Sequence, residues 1–559
     1  MRKSPGLYIL MLVIWSILSV AVIPVFVREF SYIETSGWQA VVTGILLFLN
    51  SIFILYFWLN GVKDVTYIIY YYTNRKRLHK FASPKIKRYY KHQTVRGVAN
   101  PKITLVYCTC NDFGPAALEK CMKQTYQNLQ TVILDDSDTP SYKRQIDKFA
   151  REHGLRVIRR EDRTGFKAGN LNHYLKNNPE WGDYFVILDS DEIIPKNFCE
   201  QALLYFESYD NIGIVQGNHI ATRNRTKFMK VFHVGVKSHW LTYQTTKAKC
   251  GFMSLLGHGA MVSRECFEAA GGIPEVVAED LCFSIEARTR GYYTAFAPDI
   301  VCEEEYPVDY LAFKKRHNKW TSGNLEFIRK YTLKILRSKM HWYEKLDIFL
   351  FTYNLPLTAF FSFYIFINIM FLPMLGFVLH FPAWLLIPTV VFFLAPMSND
   401  FISWFSRLTP IQLFKYMLMT FMLYGSMLFV SMKASLLGML GAKAVFIVTP
   451  KSAQHITLKE AVRHNAGDII FAVTIMTISY VFCGNILPVI LIIVPAFMSI
   501  FLSMYTNEKV PARRTQMDSE PRSLMRIMSD DFNLRVAATS VSVLILGEAA
   551  IFAYVLLAL

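Results

Sequence analysis

ITLVYCTC (103–110), TVILDD (131–136), LRVIRR (155–160) and DYFVILDS (183–190) are four short apolar runs, each carrying β-branched or aromatic residues. Such runs read as buried strands. Between them the spacing predicts helices near 115–124, 141–152 and 168–177. Strand–helix alternation implies a mostly parallel sheet covered on both faces. Ligands of such sheets bind beyond the carboxyl ends of the strands. Two of the four runs end in acids, Asp135 and Asp136 after one, Asp189 and Asp191 after another. A single acidic cluster at a strand end is ordinary loop chemistry. Two such clusters on one sheet point to a site.

Outward from this region the composition changes. Of 559 residues, 53% are hydrophobic, and the excess gathers at the N-terminus and after about residue 340. Residues 7–27 and 39–60 are long and apolar enough to cross a bilayer, which takes about 20 residues. Residues 359–379 with 382–397, and 468–486 with 488–504, read as two further hairpins of spans, and 536–557 as a last one. The stretch 411–440, broken by Lys415, Lys433 and Gly438, reads as an interfacial or re-entrant helix. Segments 340–358 and 401–408 read as interfacial.

The net charge of +17 sits beside these spans. Residues 63–98 carry a run of Lys and Arg from Lys63 to Arg96 against Asp64 alone, and 505–535 is similarly basic. Juxtamembrane clusters of this kind face the cytosolic leaflet. They predict a multi-pass protein of the plasma membrane with its soluble part in the cytosol, and argue against nucleic acid as a partner. The nine cysteines contain no CxxC pair and read as buried thiols in a reducing compartment.

The expected division is therefore two transmembrane helices (1–62), a basic linker (63–100), a cytosolic α/β domain (101–335), interfacial helices with a transmembrane hairpin (336–440), a cytosolic loop (441–467) and C-terminal transmembrane helices (468–559).

Asp189-Ser190-Asp191 places two carboxylates two residues apart. Hard cations such as Mg²⁺ or Mn²⁺ take one or two protein carboxylates together with substrate phosphates. Glu279-Asp280 follows the Gly-Gly-Ile-Pro turn at 271–274. Acids there suit a helix N-terminus, and also suit removal of a proton from a hydroxyl.

With those residues in view, the run from about 103 to 325 resembles a family 2 glycosyltransferase of GT-A fold. The membrane part resembles the processive synthases of the cellulose synthase and hyaluronan synthase kind. Thr109-Cys110-Asn111-Asp112 resembles the opening that cradles the nucleotide base, and Asp135-Asp136 resembles the first acid of the nucleotide site. Lys167-Ala168-Gly169-Asn170 matches K-x-G-N, and Asp189-Ser190-Asp191 matches the metal motif. Gly257-His258-Gly259-Ala260 resembles the acceptor-side G-T-G-A, and Ala278-Glu279-Asp280 resembles T-E-D, whose Asp is the base.

Two features resemble the processive branch. Arg316-His317-Asn318-Lys319-Trp320 lies where those synthases have Q-(Q/R)-x-R-W, with the Trp under the acceptor sugar and the basic residues on the diphosphate. Phe446-Ile447-Val448-Thr449-Pro450-Lys451 matches their F-x-V-T-x-K gating loop.

The resemblance implies a Rossmann-like GT-A domain inserted in an all-α transmembrane bundle with interfacial helices. It implies a metal-dependent, inverting polymerisation of a UDP-sugar, UDP-glucose into a β-glucan, with export of the growing polysaccharide through the bilayer. Two other readings stand beside it: a non-processive enzyme glycosylating a lipid or lipid-linked acceptor, and a channel or transporter with a nucleotide-binding regulatory domain.

Overall fold

The computed structural model describes residues 3–82, 94–95, 97–222, 226–405, 408–444 and 456–506. The segment with Phe446, Thr449 and Lys451, the basic stretch beyond residue 506 and the expected span at 536–557 lie outside the described residues.

A two-stranded hairpin, β1 (Thr94–Val95) and β2 (Val98–Ala99), precedes a seven-stranded sheet. The sheet is built from β3 (Ile103–Thr109), β4 (Leu129–Asp135), β5 (Arg156–Ile158), β6 (Tyr184–Leu188), β7 (Ile212–Ala221), β8 (Ala260–Ser263) and β9 (Tyr293–Glu304), in the order β5-β4-β3-β6-β8-β7-β9. The four runs read from the sequence are β3 to β6, mutually parallel. Helices Pro115–Met122, Pro140–His153 and Phe166–Asn177 fill the connections where the spacing placed them.

Alternation along the strands sends side chains to two cores. Ile103, Leu105 and Tyr107 enter one, while Val106 and Cys108 enter the other. Every residue of β3, β6 and β7 is buried, which is why these strands read as continuous apolar runs. The sheet departs from a purely parallel one at β8, which runs antiparallel to both neighbours, β6 and β7. This is the GT-A-like mixed sheet that the resemblance implied. All nine cysteines are free thiols, and seven of them are buried.

Among the described residues six helical segments are long and apolar enough to cross a membrane: Gly6–Ser31, Gly37–His79, Ala383–Trp404, Pro410–Met439, Ala466–Cys483 and Leu487–Tyr505. Three expectations change here. The second helix does not end near residue 60. It runs from Gly37 to Ala82, 46 residues, or roughly 69 Å at 1.5 Å per residue, about twice a bilayer core. The first part of the expected linker is therefore helix. The reason lies in its partners. Lys63 is buried over the Phe351 ring at 4.3 Å, Asp64 accepts a hydrogen bond from Tyr243 Oη at 3.0 Å, and Tyr67 Oη donates to Asp347 Oδ1 at 2.8 Å.

The expected span at 359–379 is shorter and interrupted. Its apolar helix covers Phe360–Met374 and contains a π-helical turn at Ile367–Phe371. The stretch read as a single interfacial helix at 411–440 is two helices, Pro410–Gly425 and Leu428–Met439, and the combined segment has the length and apolarity of a crossing.

Asp347 fastens the soluble domain to this bundle. It accepts hydrogen bonds from Tyr8 Oη at 2.7 Å, from Tyr67 Oη, and from the Phe252 backbone N–H at 2.7 Å. Three segments distant in sequence thus share one buried carboxylate.

Candidate active site

The carboxyl ends of β3, β4 and β6 open onto a cavity of about 1430 Å³. At the end of β6 the chain turns through Asp189-Ser190-Asp191. The turn is pinned from several sides. Ser190 Oγ donates to Asp112 Oδ2 at 2.5 Å, Tyr107 Oη donates to the Ser190 carbonyl at 2.9 Å, and the Glu305 N–H donates to Asp191 Oδ2 at 3.0 Å. Asp112 also accepts from Thr109 Oγ1 at 3.0 Å and from the Cys110 N–H at 2.9 Å. The loop after β3 and the loop after β6 are in this way one rigid unit.

Lys167, on the first turn of the helix Phe166–Asn177, pairs with Asp189 and donates to the Gly257 carbonyl at 2.8 Å. Burial works against its charged form. The Asp189 carboxylate, together with Cys108 and Glu279, outweighs that, and the Lys167 pKa is raised. Gly257 takes φ +97°, and a Cβ there would stand 3.7 Å from Asp280 Oδ2. Lys167, Gly257 and the Glu279-Asp280 pair therefore face one space.

Glu279 and Asp280 start the helix Glu279–Thr289, and the Leu281 N–H donates to Asp280 Oδ1 at 2.8 Å. Trp320 is 41% exposed and lines the same cavity, with the Arg316 guanidinium 4.3 Å from its ring centre. From this point the cavity continues past His239 and Tyr243 to Phe393, Met397, Asn399 and Tyr424 of the apolar helices.

The sequence profile described as "Glycosyl transferase family group 2" matches residues 184–504, more than half of the chain. The chain belongs to this family. Among curated relatives, "Probable glucomannan 4-beta-mannosyltransferase 15" of Arabidopsis thaliana is 25% identical over 218 residues, 37% of this chain and 40% of the relative. "Glucomannan 4-beta-mannosyltransferase 2" of the same plant is also 25% identical over 218 residues. The match spans 40% of the length of these relatives. Among solved structures, the mannosyltransferase PcManGT from Pyrobaculum calidifontis, in complex with GDP-Man and Mn²⁺, is similar at 18% identity and TM-score 0.43, over 69% of this chain and 99% of that one. S. aureus TarS is similar at 14% identity and TM-score 0.33, over 54% of each chain.

As a family 2 glycosyltransferase, the chain shows which motif residues reach the cavity. Thr109, Asp112, Asp136, Lys167, Asn170, Asp189, Ser190, Asp191, Gly257, His258, Glu279, Asp280, Arg316, Lys319 and Trp320 line it. Asp135 does not. It accepts from the Ser137 N–H at 2.8 Å and from Arg159 Nε at 2.6 Å, so it organises the loop after β4. Asn111 also turns away, holding the Asp138 and Thr139 N–H groups on its Oδ1 at 3.1 and 3.0 Å. Gly169 has a packing role, since a Cβ there would overlap the Thr164 carbonyl. Gly259, at φ +58°, keeps space for His219 and Glu192.

Sequence reasoning missed a buried network under the site. His258 Nδ1 bonds to Glu192, its Nε2 lies 3.2 Å from Glu304 Oε2 and 4.0 Å from Asp189 Oδ2, and His219 Nε2 lies 3.1 Å from Glu192 Oε1. Burial opposes the charged form of His258. The Glu192 and Asp189 carboxylates outweigh burial and hold its pKa well above the ordinary value. The histidine standing in the family's G-T-G-A gave the one signal for this network.

Asp189 and Asp191 fit a hard divalent cation. Both are oxygen donors on the cavity wall, and the Asp189 side chain is about a third exposed. Glu192, His219 and Cys302 also place ligand atoms within 4.8 Å of one another. That trio is fully buried, of mixed hard and soft donors, and its carboxylate is already engaged by two imidazoles.

Burial pushes Glu279 up to about 7, with the Asp280 charge adding to it, and burial raises Asp280 against the opposing Leu281 N–H. A raised carboxyl keeps its proton to higher pH, so proton acceptance is lost as pH falls. The acid limb of kcat/KM should therefore lie above the value of about 4 that free carboxylic acids would give. The two neighbours titrate as a pair. A pH–rate profile at saturating metal checks this, and a limb at about 4 would remove the pair from the rate.

Proposed function

We propose that the chain is an inverting, processive β-hexosyltransferase that works at the cytosolic face and feeds its polysaccharide into its own membrane helices. One observation carries this reading. A single cavity joins Asp189, Asp191, Asp280 and the exposed Trp320 to residues of the apolar helices. An enzyme that releases a small product needs no such continuation.

In this reading the nucleoside diphosphate lies over Asp112, Asp136 and Lys167. Asn170, 2% exposed with an unpartnered Oδ1, accepts a hydroxyl of the donor. Asp189 and Asp191 would hold a divalent cation, which when bound neutralises the leaving diphosphate. Asp280 takes the proton of the acceptor hydroxyl. That oxygen forms the bond to the anomeric carbon from the face opposite the diphosphate, the bond to the diphosphate breaks, and the linkage is β. Lys319 faces the same space, and burial, with Arg316 adding to it, lowers its pKa against the opposing Glu279, Asp189 and Asp280 carboxylates.

The resemblance favours UDP-glucose as donor, and the two Arabidopsis relatives favour a mannosyl donor. Purified protein supplied with UDP-glucose or GDP-mannose, followed by sizing of the product, separates these. A single sugar on lipid would replace polymerisation with the lipid-acceptor reading. Nucleotide binding with no transfer would leave the channel reading.

Trp320 supplies the processive part. An indole offers a flat apolar face to sugar C–H groups, and here Arg316 holds its ring from one side. Trp320→Ala should lower polymer yield about tenfold, equivalent to about 1.4 kcal/mol, while hydrolysis of the donor by water persists. Equal loss of both activities would make Trp320 a folding residue.

A further inference from the structure

The membrane end of the cavity carries a polar cluster that the transfer step does not use. The helix Leu386–Trp404 brings Asn399, 1% exposed, and Asp400, 8% exposed, against the segment 235–242 and the helix Pro410–Gly425. Thr242 Oγ1 donates to Asn399 Oδ1 at 2.8 Å. Tyr416 Oη donates to Asp400 Oδ2 at 2.8 Å, and Ser238 Oγ donates to Asp400 Oδ1. Asn399 Nδ2 has no partner. Turning the amide over moves the shortfall to the oxygen and does not remove it.

Both residues line the cavity, alongside Phe393, Met397 and Tyr424. Gly235 keeps the place open. A Cβ there would lie 2.8 Å from Tyr416 Oη and 3.3 Å from Asp400 Oδ2. Asp400 forms no ion pair among the described residues. Polar groups inside an apolar span carry a desolvation cost and tend to face a functional path. An unpaired amide and a carboxylate held by two hydroxyls, set among aromatic walls, match the hydroxyls and the C–H faces of a sugar. A hydrocarbon chain offers these groups nothing.

We infer that Asn399 and Asp400 form a second carbohydrate subsite, held in shape by Ser238, Thr242 and Tyr416, that grips a sugar unit of the product chain away from the transfer centre. The inference rests on the polysaccharide reading above. Asp400 accepts a sugar hydroxyl, and Asn399 donates to a sugar oxygen.

The test uses the full-length protein in lipid nanodiscs and fluorescently labelled β-1,4-linked gluco- and manno-oligosaccharides of increasing length. In the unaltered protein affinity rises once the chain is long enough to reach Asn399. Asn399→Leu removes the amide without touching the Asp400 contacts, Asp400→Asn removes the charge, and Gly235→Ala fills the space. Each should bind the short oligosaccharides and UDP normally, and bind the long ones about tenfold more weakly. Their polymer should be shorter, with donor hydrolysis unchanged. Long oligosaccharides bound by Asn399→Leu and Gly235→Ala as tightly as by the unaltered protein would overturn the subsite alone, and an ordered water would then satisfy the amide. Failure of the unaltered protein to bind any oligosaccharide would overturn the polysaccharide reading itself.

Discussion

Asp280→Asn is expected to stay folded, bind nucleotide and metal, and lose turnover by roughly 10²–10⁴-fold, the usual worth of a positioned general base. The substitution is conservative where it needs to be. Asp280 Oδ1 accepts the Leu281 N–H at 2.8 Å at the start of its helix, and an amide oxygen can accept the same bond. What disappears is a carboxylate able to take a proton beside Gly257 and Lys167. The acid limb that Asp280 contributes should disappear from the residual rate, while Glu279 remains, still raised by its burial. Initial rates at saturating donor, with UDP affinity and melting temperature as controls, check this. Turnover within a few-fold of the unaltered protein would take Asp280 out of the mechanism.

Chelation should be nearly as damaging. EDTA is expected to abolish transfer, and Mg²⁺ or Mn²⁺ to restore it. Asp191→Asn should reduce transfer about 10³-fold, since a cation on a developing phosphate charge contributes several kcal/mol and each 1.36 kcal/mol is tenfold. Asp191 Oδ2 also accepts the Glu305 N–H at 3.0 Å. Asn retains an oxygen for that bond, so the turn after β6 should survive and the loss is assigned to the cation. The arrangement at Asp189 predicts a further asymmetry. Its partner Lys167 already places a positive charge at the site, so Lys167→Met should weaken nucleotide binding even with metal saturating. Full transfer in excess chelator would show that Asp189 and Asp191 serve the turn alone.

The sequence by itself determined the strands β3 to β6, the acids at their ends and the order of the family motifs. These are local properties. Alternation along a buried strand, a turn residue after it and a carboxylate beyond it all fall within about ten residues, and the chain's own stereochemistry fixes them. Tertiary structure decided which side chains face the ligand. Asp135 and Asp136 are neighbours in sequence, yet Arg159 draws one into the loop while the other meets the cavity. Lys63 belongs to the run read as headgroup-facing, yet it is buried against Phe351 and its neighbour Asp64 against Tyr243, because a 46-residue helix carries both on to pack with these distant segments. Glu192 and Asp189 hold the His258 pKa up, and Asn399 gained its place on a cavity wall from Thr242. In each case the deciding partner comes from a distant segment. Periodicity reports which face of an element is apolar. It carries no record of which remote group will be packed against a polar atom on that face, and that pairing sets charge, orientation and access.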